Sequence, residues 1–251
     1  MRRRFFVQRF DGCSAVLRGE TAHHLGRVLR AEPGQLYELS DGNAVWLART
    51  ERVARDAIEF ALVEPLPVRP PRLRVALLLA IVKFDRFEWS LEKATELGAD
   101  EIVPLAAARS EKALVAAAGK RAARWEKILL QSAQQARRLS PPVLRPSARP
   151  AAAFRDVRAL SPSLGTAPAG QPILKILLSE RPDAAPLRGV LEGQDATSAA
   201  LAIGPEGGWS DHELAAARDA GFAEASLGAN ILRTETGVVA ALAVINYALG
   251  D

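Results

Sequence analysis

The feature that most constrains the fold is a proline-rich stretch in the first third of the chain. The sequence EPLPVRPPR, Glu64 to Arg72, holds four prolines within positions 65–71. Proline lacks a backbone N–H and clashes with the preceding helical turn, so this stretch can continue neither a helix nor a central strand. It therefore predicts a boundary between two domains, 1–67 and 73–251.

The segment before this boundary is predicted to be rich in β-structure. QLYELSDGNAVWLA reads as two alternating strands around Asp41-Gly42, a strong hairpin signal. DAIEFALVE indicates another strand, and TAHHLGRVLR a single short helix. We expect a small β-rich domain, with a barrel as its best interpretation.

After the boundary, buried strands alternate with helices, a pattern typical of a mostly parallel sheet covered on both faces. The predicted strands are LRVALLLAIV, EIVPL, ILKILLS, AALAI and EASL, and residues 161–172 are predicted to form a loop. Four helices are predicted. The first begins at Asp85 with a capping box to Glu88, and the second spans 119–139. The third follows Ser210, and the fourth is the apolar GVVAALAVINYAL near the end of the sequence. The fold class is therefore α/β.

Charge is distributed unevenly, although the net charge is only +4. Residues 109–149 hold ten Lys and Arg against two Asp and Glu, whereas residues 200–251 hold two against seven. A basic band beside an acidic C-terminal part favours an anionic polymer as partner. On charge alone, a solvated basic helix is an equal alternative.

Several common functional classes lack their sequence signals. The three histidines and the single Cys13 are not at metal-ligand spacing, and no Gly-x-Ser-x-Gly elbow is present. The first strand of the second part is followed by IVKFDRF rather than a dinucleotide fingerprint. The longest apolar run, Val75 to Val82, is too short for a membrane span, and the start shows no secretory signal. We expect a cytoplasmic protein without a metal or a disulfide framework.

A glycine-rich turn, IGPEGGWSDHE, follows the strand AALAI where a nucleotide-binding protein would cradle phosphate. A phosphate loop points successive backbone N–H groups at the anion. Pro205 removes one such donor, and Glu206 places a negative charge where the anion would lie. The turn therefore predicts a ligand that needs close backbone approach but carries no polyphosphate. Ser210 and Glu213 predict a capping box, beside a Trp209–Leu214 hydrophobic staple.

A second turn, LGANILRTET, precedes the last helix. Gly228 and the apolar pair Ile231-Leu232 suit an aromatic base, and Arg233 supplies a fixed positive charge. Thr234 or Thr236 can cap the helix. The alternative is that both turns are ordinary connections between strands and helices.

Four blocks in this order resemble the bacterial E-type small-subunit rRNA methyltransferases of the SPOUT superfamily. They are HHLGRVLRAEPGQ with LSDG, KFDRFEWSLEKATELGADEIVPLAAARS, AIGPEGGWSDHE and SLGANILRTETGVVAAL. The resemblance implies a PUA-like β-barrel followed by a trefoil-knotted α/β domain. It also implies a homodimer that uses S-adenosylmethionine to methylate N3 of a uridine in 16S rRNA of the small ribosomal subunit.

The resemblance also implies roles for particular residues. Arg233 would stabilise developing negative charge, and Glu235 would be a proton acceptor. The alternative for both residues is a structural role at the dimer interface. The implied cofactor-binding residues are Leu178, Ile203, Gly204, Pro205, Glu206, Gly208, Leu227, Gly228, Ile231, Leu232, Arg233 and Thr234. The implied RNA-binding residues are Arg27, Arg30, Lys83, Arg86, Arg124, Gln135 and Arg138.

The chain departs from the family in the segment QQARR, 134–138. The family usually has an acid, Gln, a small residue, Gly and Arg here, so Gln135 and Arg138 match while the acid and the glycine are replaced. Two alternatives to uridine-N3 methylation are open. One is a SPOUT enzyme that methylates a ribose 2′-hydroxyl or another base, and the other is a non-catalytic RNA-binding module.

Overall fold

The computed structural model describes residues 3–158 and 173–250, so the predicted loop 161–172 lies outside the described residues. The chain divides into two compact units. The first comprises Met1–Pro70 and Ala133–Pro141, and the second comprises Pro71–Ser132 and Pro142–Asp251. The segment 133–141 therefore belongs to the first unit, although residues 71–132 of the second unit separate it in sequence from the rest of the first unit.

The first unit is built on a six-stranded sheet. Its strands are β1 (Arg4–Phe6), β2 (Phe10–Asp11), β3 (Ser14–Arg18), β4 (Leu36–Ser40), β5 (Val45–Val53) and β6 (Ala57–Leu66), in the order β1-β4-β5-β6-β3-β2. β1 and β4 are parallel, and the other neighbours are antiparallel. Alternate strand residues such as Phe5, Leu17, Leu39, Ile58 and Phe60 fill its core.

The predicted hairpin around Asp41-Gly42 is confirmed, since β4 and β5 pair on either side of it. The expected end of the last strand is wrong, because β6 continues through Pro65 to Leu66. The β3 pairing stops at Ala61, so the missing N–H of Pro65 breaks no ladder bond on that side. The predicted single helix consists of α1 (Gly19–His23) and a π-helical turn over His24–Val28.

The segment 133–141 is held against the first unit by its backbone carbonyls. Arg4 Nη1 donates to the Arg137 carbonyl at 2.6 Å, and Ser40 Oγ donates to the Leu139 carbonyl at 2.6 Å. Arg137 adopts a left-handed φ of 53°. The helix predicted over 119–139 therefore ends at Gln135, since these contacts need a chain that has left the helix.

The second unit contains a seven-stranded sheet in which all the described neighbours are parallel. Its strands are β7 (Arg74–Ala80), β8 (Ala99–Leu105), β9 (Val143–Leu144), β10 (Leu174–Leu178), β11 (Ala185–Pro186), β12 (Ser198–Ile203) and β13 (Ala223–Ser226), in the order β11-β13-β10-β12-β7-β8-β9. Its helices are α2 (Phe84–Glu96), α3 (Lys112–Ala117), α4 (Ala122–Gln135), α5 (Pro150–Arg155), α6 (Leu187–Leu191), α7 (Asp211–Asp219) and α8 (Thr234–Leu249), with 3-10 turns at Ala118–Arg121 and Asp156–Arg158.

Both faces of this sheet are covered, as the continuous apolar strands predict. Along β7, Leu77 and Leu79 pack in a cluster with residues of α2, α4 and α8, whereas Leu78 packs on the other side with Phe154 and Trp209. Successive side chains of a strand point to opposite faces, so one strand supplies both cores. The prediction of an α/β fold with a parallel sheet is confirmed.

The capping box predicted at the start of α2 is wrong. Lys83 occupies the cap position, and the helix has no side-chain cap. Glu88 does not reach back to the helix start, because its carboxylate accepts both Nε and Nη2 of Arg124 at 2.8 Å. An ion pair with Arg124 therefore engages the carboxylate that the sequence spacing assigned to a capping box.

The start of α7 is predicted correctly. Ser210 accepts the Glu213 N–H, and the Glu213 carboxylate accepts the Ser210 N–H at 2.9 Å, which completes the capping box. The other Glu213 oxygen accepts the Ala108 N–H at 2.8 Å. Trp209 and Leu214 are both buried in the same cluster. This cap fixes where the turn after β12 ends.

We expect Ser210→Ala to lower the free energy of unfolding by about 1 kcal/mol, because the variant loses a side-chain acceptor for a helix N–H. Ser210→Gly is the matched comparison and should cost only about a few tenths of a kcal/mol. Urea unfolding of both variants measures the difference. Equal midpoints for the wild type and Ser210→Ala would contradict this view of the cap.

Candidate functional site

A cavity of about 300 Å³ lies where three adjacent parallel strands of the second unit end. Leu178 ends β10, Ile203 ends β12, and Leu227 follows β13, and all three line the cavity. Ligands of open α/β sheets bind beyond the carboxyl ends of the strands, where connecting turns supply backbone groups. The position of this cavity therefore makes it the candidate site.

The two turns singled out from sequence meet in this cavity, although they are separated by α7 and β13 along the chain. Of the residues predicted to bind a cofactor, those lining it are Leu178, Ile203, Gly204, Pro205, Glu206, Gly208, Leu227, Gly228, Leu232, Arg233 and Thr234. Ile231 was also predicted but does not line the cavity, and its side chain is 76% exposed. Leu232, by contrast, lines the cavity and is 38% exposed.

Gly204 lies against the indole of Trp209. A Cβ at Gly204 would be 3.0 Å from Trp209 Cε2 and 3.1 Å from Nε1. The indole cannot easily move away, since its Nε1 donates to the Leu178 carbonyl at 2.8 Å. The Gly204 carbonyl in turn accepts Thr234 Oγ1 at 3.0 Å. One glycine therefore joins β10, β12 and α8 in a close arrangement of backbone and ring.

Sequence reasoning missed several residues that line the cavity, charged side chains among them. The missed lining residues are Arg109, Ser179, Glu180, Arg181, Trp209, Asp211, Leu214, Asn230 and Gly237. Glu180 and Arg181 follow the predicted strand ILKILLS directly, so the rule that parallel strands end at a common edge could have found them. Arg109 Nη1 donates to the Gly207 carbonyl at 2.8 Å, which fixes it beside the glycine turn. A hydrogen bond from Arg181 lowers the pKa of the Asp183 carboxyl.

Arg233 lies at the cavity with its side chain exposed. It occupies the cap position of α8 with extended backbone. Within the part of the chain that the structure describes, no acidic side chain forms an ion pair with its guanidinium. A fixed cation at the entrance can stabilise negative charge that develops on a bound group.

Glu235 does not line the cavity, although it is next to residues that do. Its Oε1 is 3.8 Å from Arg86 Nε, and its buried Oε2 has no hydrogen-bond partner among the described residues. Arg86 also forms an ion pair with Glu206. The two predicted catalytic residues therefore differ: Arg233 lines the cavity, whereas Glu235 lies outside the lining and forms an ion pair with Arg86.

The predicted RNA-binding residues are spread over both units. In the first unit Arg27, Arg30 and Gln135 are exposed, and Arg138 is partly buried in the segment 133–141. In the second unit Lys83 is exposed. Arg86 and Arg124 are engaged by carboxylates, and hydrogen bonding to Glu88 raises the pKa of the Arg124 guanidinium. These two arginines therefore carry less free positive charge than their sequence positions suggest.

Among residues 3–158 and 173–250, no group of three or more His, Cys, Asp or Glu side chains is placed to hold a metal ion. No helix within the same ranges is long and apolar enough to cross a membrane.

Several known proteins similar to this chain are RNA methyltransferases by name. An RNA methyltransferase domain family matches residues 69–246. The chain is 33% identical over 239 residues to a ribosomal RNA small subunit methyltransferase E from Mycobacterium bovis, covering 93% of this chain and 86% of that protein. A protein of the same name from Synechocystis is 32% identical over 90% of this chain and 71% of its own length.

A solved structure shares the whole fold. It is the crystal structure of a ribosomal RNA small subunit methyltransferase E from Neisseria gonorrhoeae bound to S-adenosyl methionine, at a TM-score of 0.84 and 27% identity. The match covers 100% of this chain and 99% of that one. The match to the domain family and the identity to these relatives over nearly the full length show that the chain belongs to the ribosomal RNA small subunit methyltransferase E family.

Proposed function

We propose that this protein transfers a methyl group from S-adenosylmethionine to N3 of a uridine in 16S rRNA of the small ribosomal subunit. The observation that carries the proposal is the meeting of the two turns, Gly204–Gly208 and Leu227–Thr234, in one cavity with Arg233 at its entrance. The Neisseria relative of the same fold, which binds S-adenosyl methionine, supports the choice of cofactor.

The residues at the cavity fit this cofactor. Leu178, Ile203, Leu227 and Leu232 offer apolar surface to an aromatic base. Gly204 and Gly208 place no side chain between the backbone of the turn and the cavity, and a Cβ at Gly208 would be 3.0 Å from Glu180 Oε1. Pro205 and Glu206 disfavour a polyphosphate but not a sulfonium cation. When bound, the cofactor supplies an electrophilic methyl group.

The protein then has to favour loss of the uridine N3 proton. As N3 loses this proton, the uracil ring gains negative charge, which Arg233 would stabilise from the edge of the cavity. The N3–methyl bond forms as the methyl–sulfur bond breaks, and the electron pair of that bond stays on sulfur. Glu235 is our candidate for the proton acceptor, and in that role Arg86, whose Nε is 3.8 Å from Glu235 Oε1, would hold the carboxylate in place.

We assign the finer features of the fold in the same way. Residues 1–67, which belong to the first unit, would form a PUA-like RNA-binding domain, and residues 73–251 a trefoil-knotted methyltransferase domain. RNA contacts from Arg27, Arg30, Lys83, Gln135 and Arg138 would bind phosphate or position the strand without selecting its sequence.

We further propose a homodimer that uses the exposed face of α8. Val244 is 38% exposed and Tyr247 is 94% exposed, although both lie on an otherwise apolar helix. Exposed apolar surface of this kind is typical of protein–protein interfaces.

The double variant Val244→Glu/Tyr247→Glu is therefore expected to be a monomer, because two charges would be buried without partners in such an interface. Light scattering coupled to size exclusion measures the mass of each sample. Val63→Glu is the matched control, since Val63 is 50% exposed on β6 of the first unit. A wild type that is monomeric at micromolar concentration would refute the dimer.

Reverse transcription across 16S rRNA, from cells with and without this gene, tests the reaction. A methyl group on N3 blocks the Watson–Crick edge, so we expect a gene-dependent stop at one uridine. Transfer of labelled methyl without such a stop would instead indicate a ribose 2′-hydroxyl or another base. No heat on titration of S-adenosylmethionine into the protein would refute both enzymatic proposals and leave an RNA-binding module.

A further inference from the structure

Arg86 bridges two segments of the candidate site without lining the cavity itself. It lies in the first turn of α2, and its side chain is 23% exposed. Its Nη1 pairs with Glu206 Oε1, and its Nε is 3.8 Å from Glu235 Oε1. One guanidinium therefore serves two carboxylates that come from different parts of the chain.

The two carboxylates belong to the two segments that form the cavity. Glu206 lies in the turn after β12, and Glu235 lies in the first turn of α8, next to Thr234. The hydrogen bond from Thr234 Oγ1 to the Gly204 carbonyl joins the same segments at a second point. These two contacts together fix the distance between the glycine turn and the start of the helix.

The charges explain why this bridge matters. Arg presents five N–H donors in a planar fork, so it can hold two acceptors at once. Glu235 is only 16% exposed, and one of its oxygens has no hydrogen-bond partner among the residues described. Without Arg86, a largely buried carboxylate would lose its compensating charge, and of the two contacts between these segments only the hydrogen bond from Thr234 to the Gly204 carbonyl would remain.

We infer that Arg86 is a positioning residue, which keeps the Gly204–Gly208 turn and the start of α8 in the arrangement that binds the cofactor. The inference rests on the proposed function and replaces the phosphate contact that the sequence suggested. An arginine already shared by two carboxylates has little free charge to offer to RNA.

The experiment compares Arg86→Gln with Arg86→Lys and with the control Arg72→Gln. Arg72 also forms an ion pair in the second unit, with Asp195, but lies outside the cavity lining. Calorimetric titration with S-adenosylmethionine should show affinity reduced about tenfold or more in Arg86→Gln, partly restored in Arg86→Lys, and unchanged in Arg72→Gln. The KM for the cofactor should rise, while the KM for RNA stays within about twofold.

Salt dependence separates the two roles of Arg86. A phosphate contact contributes about one unit to the slope of log affinity for RNA against log salt concentration. We expect this slope to be unchanged in Arg86→Gln. A slope reduced by about one unit, with wild-type cofactor affinity, would overturn the inference.

If Arg86→Gln does not fold, Arg86→Lys decides, because it keeps the charge but not the fork. Amide hydrogen exchange should then be faster in both 204–208 and 233–237 than in the wild type, and unchanged exchange in these segments would overturn the inference. Failure of the wild type to bind S-adenosylmethionine would refute the proposed function itself. Cofactor binding by the wild type that is unaffected in Arg86→Gln would refute only the role of Arg86.

Discussion

Replacing Arg233 by alanine is expected to lower kcat about 100- to 1000-fold, the effect of removing one preorganised charge-stabilising group from an active site. The affinity for S-adenosylmethionine should change by no more than about threefold, because the cofactor would be held mainly by backbone and apolar groups. Arg233 lies at the cavity and forms no ion pair with an acidic side chain among the described residues, so its charge is available to the uracil ring. Single-turnover methylation of 16S rRNA and calorimetric titration measure the two quantities separately.

Two variants sharpen this experiment. Arg233→Lys keeps the charge without the planar fork and should recover part of the lost rate. Arg218→Ala removes an exposed arginine of α7 that is 3.8 Å from Glu224 and outside the cavity lining, so its rate should equal that of the wild type. If Arg233→Ala turns over normally, Arg233 takes no part in the reaction.

The fold was predictable where one strong local signal decided the structure. Continuous apolar strands such as that of β7 predicted a sheet covered on both sides, and Ser210 with Glu213 predicted the start of α7. Both signals depend on contacts within the element or on burial alone, so a sequence pattern is sufficient to identify them.

The errors in the fold come from contacts between residues far apart in sequence. The spacing of Asp85 and Glu88 suggested a capping box, but Arg124 binds that glutamate across 36 positions. The helix expected to reach residue 139 ends at Gln135, since Arg4 and Ser40 bind carbonyls of the following segment. Periodicity within one segment carries no information about such partners.

The candidate site was predicted only in part, because some of its residues come together through contacts that are distant in sequence. The two turns were identified, one by its glycines and the other by Arg233, and both line the cavity. The charged residues Arg109, Glu180 and Arg181 were missed, because they join the site only through the order of the strands in the sheet. Arg86 was assigned to RNA, since its two carboxylate partners lie more than a hundred positions away.

Gly204→Ala is expected to weaken binding of S-adenosylmethionine about tenfold to a hundredfold. The new methyl group would lie 3.0 Å from Cε2 of the Trp209 indole, and overpacking of this kind costs about 1–3 kcal/mol. The indole is fixed by its hydrogen bond to the Leu178 carbonyl and by edge contact with Phe154. The collision between the methyl group and the indole must therefore be relieved by movement of the turn, and the same turn lines the cavity. Calorimetric titration measures the loss.

The matched control for this variant is Gly189→Ala in α6, where a new Cβ meets no atom within 4 Å. It should bind the cofactor like the wild type and gain about 0.5–1 kcal/mol of stability, because alanine is favoured over glycine within a helix. A Gly204→Ala protein that is less stable but binds the cofactor normally would show that the collision moves Trp209 into the core. The turn would then not be the element that yields, and cofactor affinity would not depend on the contact between Gly204 and the indole.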